Sequence, residues 1–175
     1  MDYKATKRML KNVGGRDIPD ARRDALNRAA GAGVTDGRRM LKSLSGLTYK
    51  GTKRKFKIAK AKGREGWRAN SAKVYFNKTW GGNMGKLDVN EAGRGVSVAG
   101  GPVSEGAFAL RYGKGTYLYK RVGRSRYPIT FAKAEIGGTM DQAVRTAVRF
   151  KANKVFKERF KHELDYRLKK RMGMI

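Results

Sequence analysis

Apolar residues recur at helical spacing near both ends of the chain and at strand spacing between them. From Asp17 onward, Ile18, Ala21, Ala25, Leu26, Ala29 and Ala30 fall three and four apart, and Val34, Met40, Leu41 and Leu44 continue the stripe. The pattern predicts a helix over residues 18–45. Asp17 is a candidate cap, and Pro19 sits at an early position where its missing N–H costs nothing. Gly31, Gly33 and Gly37 each weaken a helix by about 1 kcal/mol relative to alanine. They predict a break or kink, or a place where another backbone comes close. Residues 49–55 read as a short basic helix despite Gly51. Phe56 and Ile58 then alternate with lysines, the period of a half-buried strand.

The middle of the chain reads as β. Trp67, Ala69, Val74 and Phe76 mark a run over residues 67–78, with Lys73-Val74-Tyr75-Phe76 as its core. Five glycines, with Asn83 and Asn90, make residues 79–95 read as a long loop. Val96 and Val98 begin another strand, which Gly100-Gly101-Pro102 ends. Residues 108–112 and 117–122 form two strands around Gly113-Lys114-Gly115, a hairpin signal, and Pro128 and Ile129 close the β region. Over residues 139–171, Met140, Val144, Val148, Ala152, Val155, Phe156, Phe160, Leu164 and Leu168 return to spacings of three and four. Thr139 or Asp141 can cap this helix, and Gly173 ends it. Such a helix spans roughly 50 Å, more than a small sheet covers.

These elements predict an α+β fold: an N-terminal helix, an antiparallel sheet of about four to five strands, and a long C-terminal helix. Residues 1–16 form a basic arm or short helix, 17–138 the α+β domain, and 139–175 a helix that packs on the domain or on a neighbouring subunit.

Charge changes this picture most. The 175 residues hold 42 Lys and Arg against 14 Asp and Glu, a formal net charge of +28. With a pI near 10.8, the chain repels its own copies and suits a partner that is acidic. Nucleic acid, an anionic membrane surface and acidic protein surfaces are the candidates; a merely soluble basic surface is the bland alternative. There is no cysteine, so disulfides, thiol nucleophiles and Cys-based zinc sites are excluded. No apolar stretch is long enough to cross a membrane, and no apolar segment follows the N-terminus as in a secretory signal.

Reacting groups are not signalled. His162 is the one histidine, so a histidine zinc site cannot be assembled; no serine lies in a nucleophile-elbow setting, and His162 has no triad context. It reads as a surface residue near Glu163 and Asp165. Asp88 and Glu91 lack calcium-loop spacing, and most acids sit beside basic residues, as in Asp20-Ala21-Arg22-Arg23-Asp24, which suits helix-surface ion pairs. Gly113-Lys114-Gly115 has no third glycine and opens no helix, so no nucleotide site is indicated. The chain is read as non-enzymatic, with no metal and no cofactor.

Two basic clusters remain. The first runs from Lys50 to Lys62 and centres on Lys53, Arg54, Lys55 and Lys57. The second is Lys120, Arg121, Arg124 and Arg126. Both interleave aromatics: Tyr49 and Phe56 in one, Tyr117, Tyr119 and Tyr127 in the other. Cations neutralise phosphates and aromatics can stack on exposed bases. The aromatics are read here as core, and the cations as contacts to DNA or an acidic protein. No base-reading signature is present, so any DNA contact goes to the backbone.

Two stretches carry a family resemblance. One is Ala25-Leu26-Asn27-Arg28-Ala29-Ala30, then Leu44-Ser45-Gly46-Leu47 and Lys53-Arg54-Lys55-Phe56-Lys57-Ile58. The other is Gly106-Ala107-Phe108, then Leu118-Tyr119-Lys120-Arg121-Val122-Gly123-Arg124-Ser125-Arg126-Tyr127-Pro128-Ile129. In this order they resemble the minor tail protein Z family of lambda-like bacteriophages and prophages, over residues 20–145. The long C-terminal helix and the glycine-rich segment fall outside the resemblance. It implies a virion protein at the head-proximal end of the tail, made in the host cytoplasm, that completes the tail and joins it to the capsid. It further implies a hexameric ring around the DNA, in contact with tail terminator, tail tube and head–tail connector proteins and with no membrane. A free, non-specific nucleic-acid-binding protein and a related tail terminator or head-closure ring protein are the alternatives. Gly106 and Gly123 are expected to allow turns, and Pro128 to stiffen the exit from the β region.

Overall fold

A computed structural model describes residues 11, 13–46, 52–62, 71–84, 87–113 and 115–174. A π-helical turn, Val13–Asp17, leads into α1, Ile18–Ser45. Among the described residues ten short strands follow: β1 Phe56–Ala59, β2 Lys73–Phe76, β3 Thr79–Gly81, β4 Val89–Ala92, β5 Gly95–Val98, β6 Ser104–Glu105, β7 Ala107–Tyr112, β8 Gly115–Arg121, β9 Ile129–Phe131 and β10 Lys133–Glu135. Helix α2, Gly138–Arg171, closes the chain. The expected α+β class holds. The single sheet does not: the strands form four small sheets, β1-β2, β10-β3, β4-β5-β6 and β7-β8-β9.

The chain divides into two compact units. One holds residues 1–35, 58–75 and 148–175; the other holds 36–57 and 76–147. In the first, the opening of α1 packs antiparallel on the distal part of α2. Asp17 pairs with Arg171, Asp24 with Arg167 at 2.7 Å, and Arg28 with Glu163 at 2.8 Å. Partners that ascend along α1 descend along α2, which fixes the antiparallel sense. Asp17 is thus buried against Arg171; its carboxylate is held by a guanidinium, where a helix cap was expected. Arg23 bridges Asp20 and Asp24, each at 2.9 Å, in line with the expected helix-surface pairs. His162 is exposed, as expected.

The close packing comes from a small-residue stripe. Ala21, Ala25, Ala29 and Gly33 recur every four residues on one face of α1, all of them buried. A Cβ at Gly33 would lie 2.8 Å from the Val148 carbonyl oxygen and 3.2 Å from the Ala152 Cβ. Of the two expectations for the helix glycines, close approach holds at Gly33, which admits the α2 backbone, and α1 runs unbroken. Gly33→Val should lower the unfolding free energy by about 1–3 kcal/mol, measured by denaturant titration. Gly31→Val should cost less, because a Cβ there meets nothing within 4 Å.

The second unit has a β core of Trp80, Met84, Val96, Val98 and Leu118, each at most 2% exposed. Val96 and Val98 alternate with half-buried Gly95 and Ser97, the period of a strand with one buried face. The segment expected to be a loop, 79–95, contains β3 and β4. Trp80 sits opposite Ala134 on β10, and Val89 opposite Val98 on β5. These strands are specified by their partners rather than by apolar runs of their own, so periodicity alone misses them. The β region also continues past Pro128 and Ile129 through β9 and β10. The hairpin of β7 and β8 is as expected, paired from Ala107 with Lys120 to Tyr112 with Gly115.

Two segments of this unit cross at van der Waals limits. A Cβ on Gly137 would lie 1.9 Å from the Ala99 carbonyl oxygen, and one on Gly101 would lie 2.1 Å from that of Glu135. Val98 and Ile136 form a parallel bridge beside this crossing. Gly173, with φ of 69°, ends α2 as expected, its neighbour Met174 donating to the Lys169 carbonyl.

Candidate interaction surface

The first basic cluster lies partly outside the described residues, since 47–51 are not among them. Thr52 and Lys53 are helical, and Arg54 and Lys55 turn into β1. Lys53, Arg54 and Lys57 are exposed. Lys55 is not: its ammonium donates to the Thr79 carbonyl at 2.8 Å and lies 4.7 Å from the centre of the Trp80 ring. Burial pushes its pKa below the usual lysine range. Lys55 therefore anchors β1 to β3 and is removed from the contact-forming group. Phe56 is buried against Phe76, with centroids 5.0 Å apart, as expected for a core aromatic.

The second cluster is displayed in full. Lys120 and Arg121 end β8, and Arg124 and Arg126 lie in the connection to β9. All four are exposed, and none has an ion pair among the described residues. The connection is shaped by its own backbone. Val122 donates to the Pro128 carbonyl at 3.0 Å, Gly123 takes φ of 84°, and the Tyr127–Pro128 peptide is cis. Gly106, with φ of 67°, turns β6 into β7. Both glycines occupy the left-handed region that favours them. No described hydrogen bond, ion pair or ring contact joins the two basic clusters.

Here the expectation that the aromatics are core fails for Tyr127, which is 68% exposed; Tyr117 and Tyr119 are half-buried, and Tyr112, outside that group, is 81% exposed. Across the sheet, Phe108, Tyr119 and Phe131 form a ladder, with centroids 6.0 and 5.1 Å apart and planes within 27° and 24° of parallel. Register places them side by side, Phe108 opposite Tyr119 and Tyr119 opposite Phe131. Strand alternation puts Leu110, Arg121 and Ile129 on the same face, and Leu110, Ile129 and Phe131 are all exposed. The opposite face carries buried Leu118 and Ala107, which seat the sheet on the core. Both faces of this sheet therefore carry apolar side chains, and among the described residues only one is covered.

The surrounding charge is one-sided. Between Glu105 and Glu135 the chain has seven Lys and Arg and no carboxylate. At the Arg121 end of the ladder, Glu91, Arg94, Phe108 and Arg121 line an open cleft of about 560 Å³ floored by glycine backbone. Arg94 and Phe131 were not singled out from sequence; the carboxylate-free stretch was the signal available for Phe131, and Arg94 lies outside it. Among the described residues no group of three acidic, histidine or cysteine side chains is placed to hold a metal, and no helix is long and apolar enough to cross a membrane.

Neither a curated protein nor a solved structure matches the chain. A family model does, and it extends past residues 20–145, where the motifs lie, to take in most of the N-terminal segment and α2. Its description is prophage minor tail protein Z (GPZ), it matches residues 4–174, and the chain belongs to that family of bacteriophage tail proteins.

Proposed function

We propose that this chain is a structural subunit at the head-proximal end of the tail, where it completes the tail, joins it to the capsid and borders the DNA path. Family membership supports a tail component. The observation that carries the finer reading is the exposed cluster Lys120, Arg121, Arg124 and Arg126, on a stretch without carboxylates in a chain of net charge +28. A subunit beside a DNA channel needs cations that are not already neutralised by the fold, presented without a base-reading element. Lys53, Arg54 and Lys57 add to the same supply. A homo-oligomer, a hexameric ring in this reading, places these cations around the lumen and shares the charge with acidic neighbours. Tail terminator, tail tube and head–tail connector proteins are the proposed neighbours, and phage DNA the proposed contents. Catalysis has no part in the reading.

DNA binding against salt tests the phosphate contacts. The full chain should bind duplexes of unrelated sequence equally, with affinity falling steeply as salt rises. Replacing Arg124 and Arg126 together by alanine should reduce the log–log slope by about 1.8, some 0.9 for each phosphate no longer neutralised. A strong sequence preference, or an unchanged slope, would contradict backbone contact by these residues.

A further inference from the structure

The uncovered face of the β7-β8-β9 sheet is not explained by a phosphate-binding role, because rings and aliphatic side chains gain nothing from a DNA backbone. We infer that this face docks an acidic polypeptide segment bearing apolar side chains, supplied by another protein of the particle. The partner's place in the particle rests on the tail reading above; its chemistry does not.

Three observations choose this occupant. The first is the ladder itself. Tyr119 lies between Phe108 and Phe131, nearly parallel to both. Tyr119 therefore has a ring against each face and offers mainly its edge, while Phe108 and Phe131 each have one ring neighbour. Base stacking needs a free ring face, whereas aliphatic and aromatic side chains pack well on ring edges. The second is charge. Seven cations and no carboxylate lie between Glu105 and Glu135, and Arg94 and Arg121 meet at the cleft beside Phe108, with Glu91 as the one carboxylate in its lining. Neither arginine has an ion pair among the described residues. Guanidinium groups in a cleft next to an apolar face suit a carboxylate neighbouring an apolar anchor. The third is self-repulsion. A second copy seated on this face by two-fold symmetry would bring the same cations together, on chains that each carry +28.

The test uses the full chain and two polyanions of matched charge, polyglutamate and a random Glu–Tyr copolymer. At about 0.3 M salt, exposed charges more than roughly 6 Å apart are screened. The chain should then hold the copolymer about tenfold more tightly than polyglutamate. Phe131→Ser should abolish that preference while leaving polyglutamate binding in place, and Leu110→Ser should act in the same direction. Both side chains are about half exposed, at 58% and 47%, so both variants should keep the parent's circular dichroism and a cooperative unfolding transition, with a modestly lower midpoint for Phe131→Ser, which loses its ring contact with Tyr119. Three results would overturn the inference: equal binding of the two polymers, Phe131 dependence that appears with oligothymidylate instead, or Phe131 dependence that appears as concentration-dependent dimerisation. None of these readouts requires the chain to be in a particle, so the docking inference and the tail reading fail separately.

Discussion

Gly137→Ala is expected to remove soluble, folded protein, while Gly138→Ala, one residue further on, leaves it intact. The added methyl is the same; its surroundings are not. At Gly137 it would sit 1.9 Å from the Ala99 carbonyl oxygen, and within 3 Å of two further backbone atoms of residues 99 and 100. Backbone cannot rotate away as a long side chain does, so the two segments must part by about 1 Å or more. That separation opens the bridge between Val98 and Ile136, whose side chains are 0% and 3% exposed in the core. Overpacking costs about 1–3 kcal/mol where neighbours can adjust, and more where they cannot. A loss above about 4 kcal/mol is expected here, a large part of a typical domain's stability. At Gly138 an added Cβ meets nothing within 4 Å, so the change should stay within about 1 kcal/mol. Thermal unfolding of the soluble fraction checks both. A Gly137→Ala protein with the parent's midpoint would mean that the segments do not cross this closely.

The second large effect is functional rather than structural. Reversing Arg121 and Arg124 to glutamate should leave the monomer's unfolding midpoint within about 2 °C, since exposed substitutions away from specific contacts change stability little. The net charge falls only from +28 to 28 − 4 = +24. Tail joining should nevertheless collapse, with infectious titre down at least about a hundredfold, because repulsion replaces attraction at the proposed contact surface in every copy. Complementation of a strain lacking the gene, read as titre beside the melting curve of the purified variant, separates the two effects. Parental titre from the double variant would exclude these residues from the joining surface.

Legibility in the sequence followed the physics of each element. The two long helices were readable because each carries a continuous apolar stripe with a period near 3.6, half-buried along most of α2, and the β7–β8 hairpin because Gly113 and Gly115 bracket its turn. Strands β3 and β4 were not, since a three- or four-residue strand has too few positions to show alternation; Trp80 and Val89 take their places from Ala134 and Val98 opposite them. Gly33 was ambiguous for a different reason. A helix glycine signals either weakness or close approach, and only the Val148 carbonyl beside it decides. The basic cluster at Lys120, Arg121, Arg124 and Arg126 was plain from composition. That Lys55 is committed to Thr79 and Trp80 was not, because a lysine's exposure depends on residues more than twenty positions away. The exposed ladder was hidden by the ordinary rule that aromatics belong inside. Its three rings are brought together by strand register, which the linear sequence does not display.

The central claim is that the chain is a stoichiometric part of the tail near the capsid. Quantitative mass spectrometry of purified particles from the phage or lysogen that encodes it tests this most directly. About six copies per particle, one sixfold ring, are expected. Absence from clean particles, with the protein abundant in the lysate, would contradict the claim and point to an assembly factor or a free nucleic-acid binder.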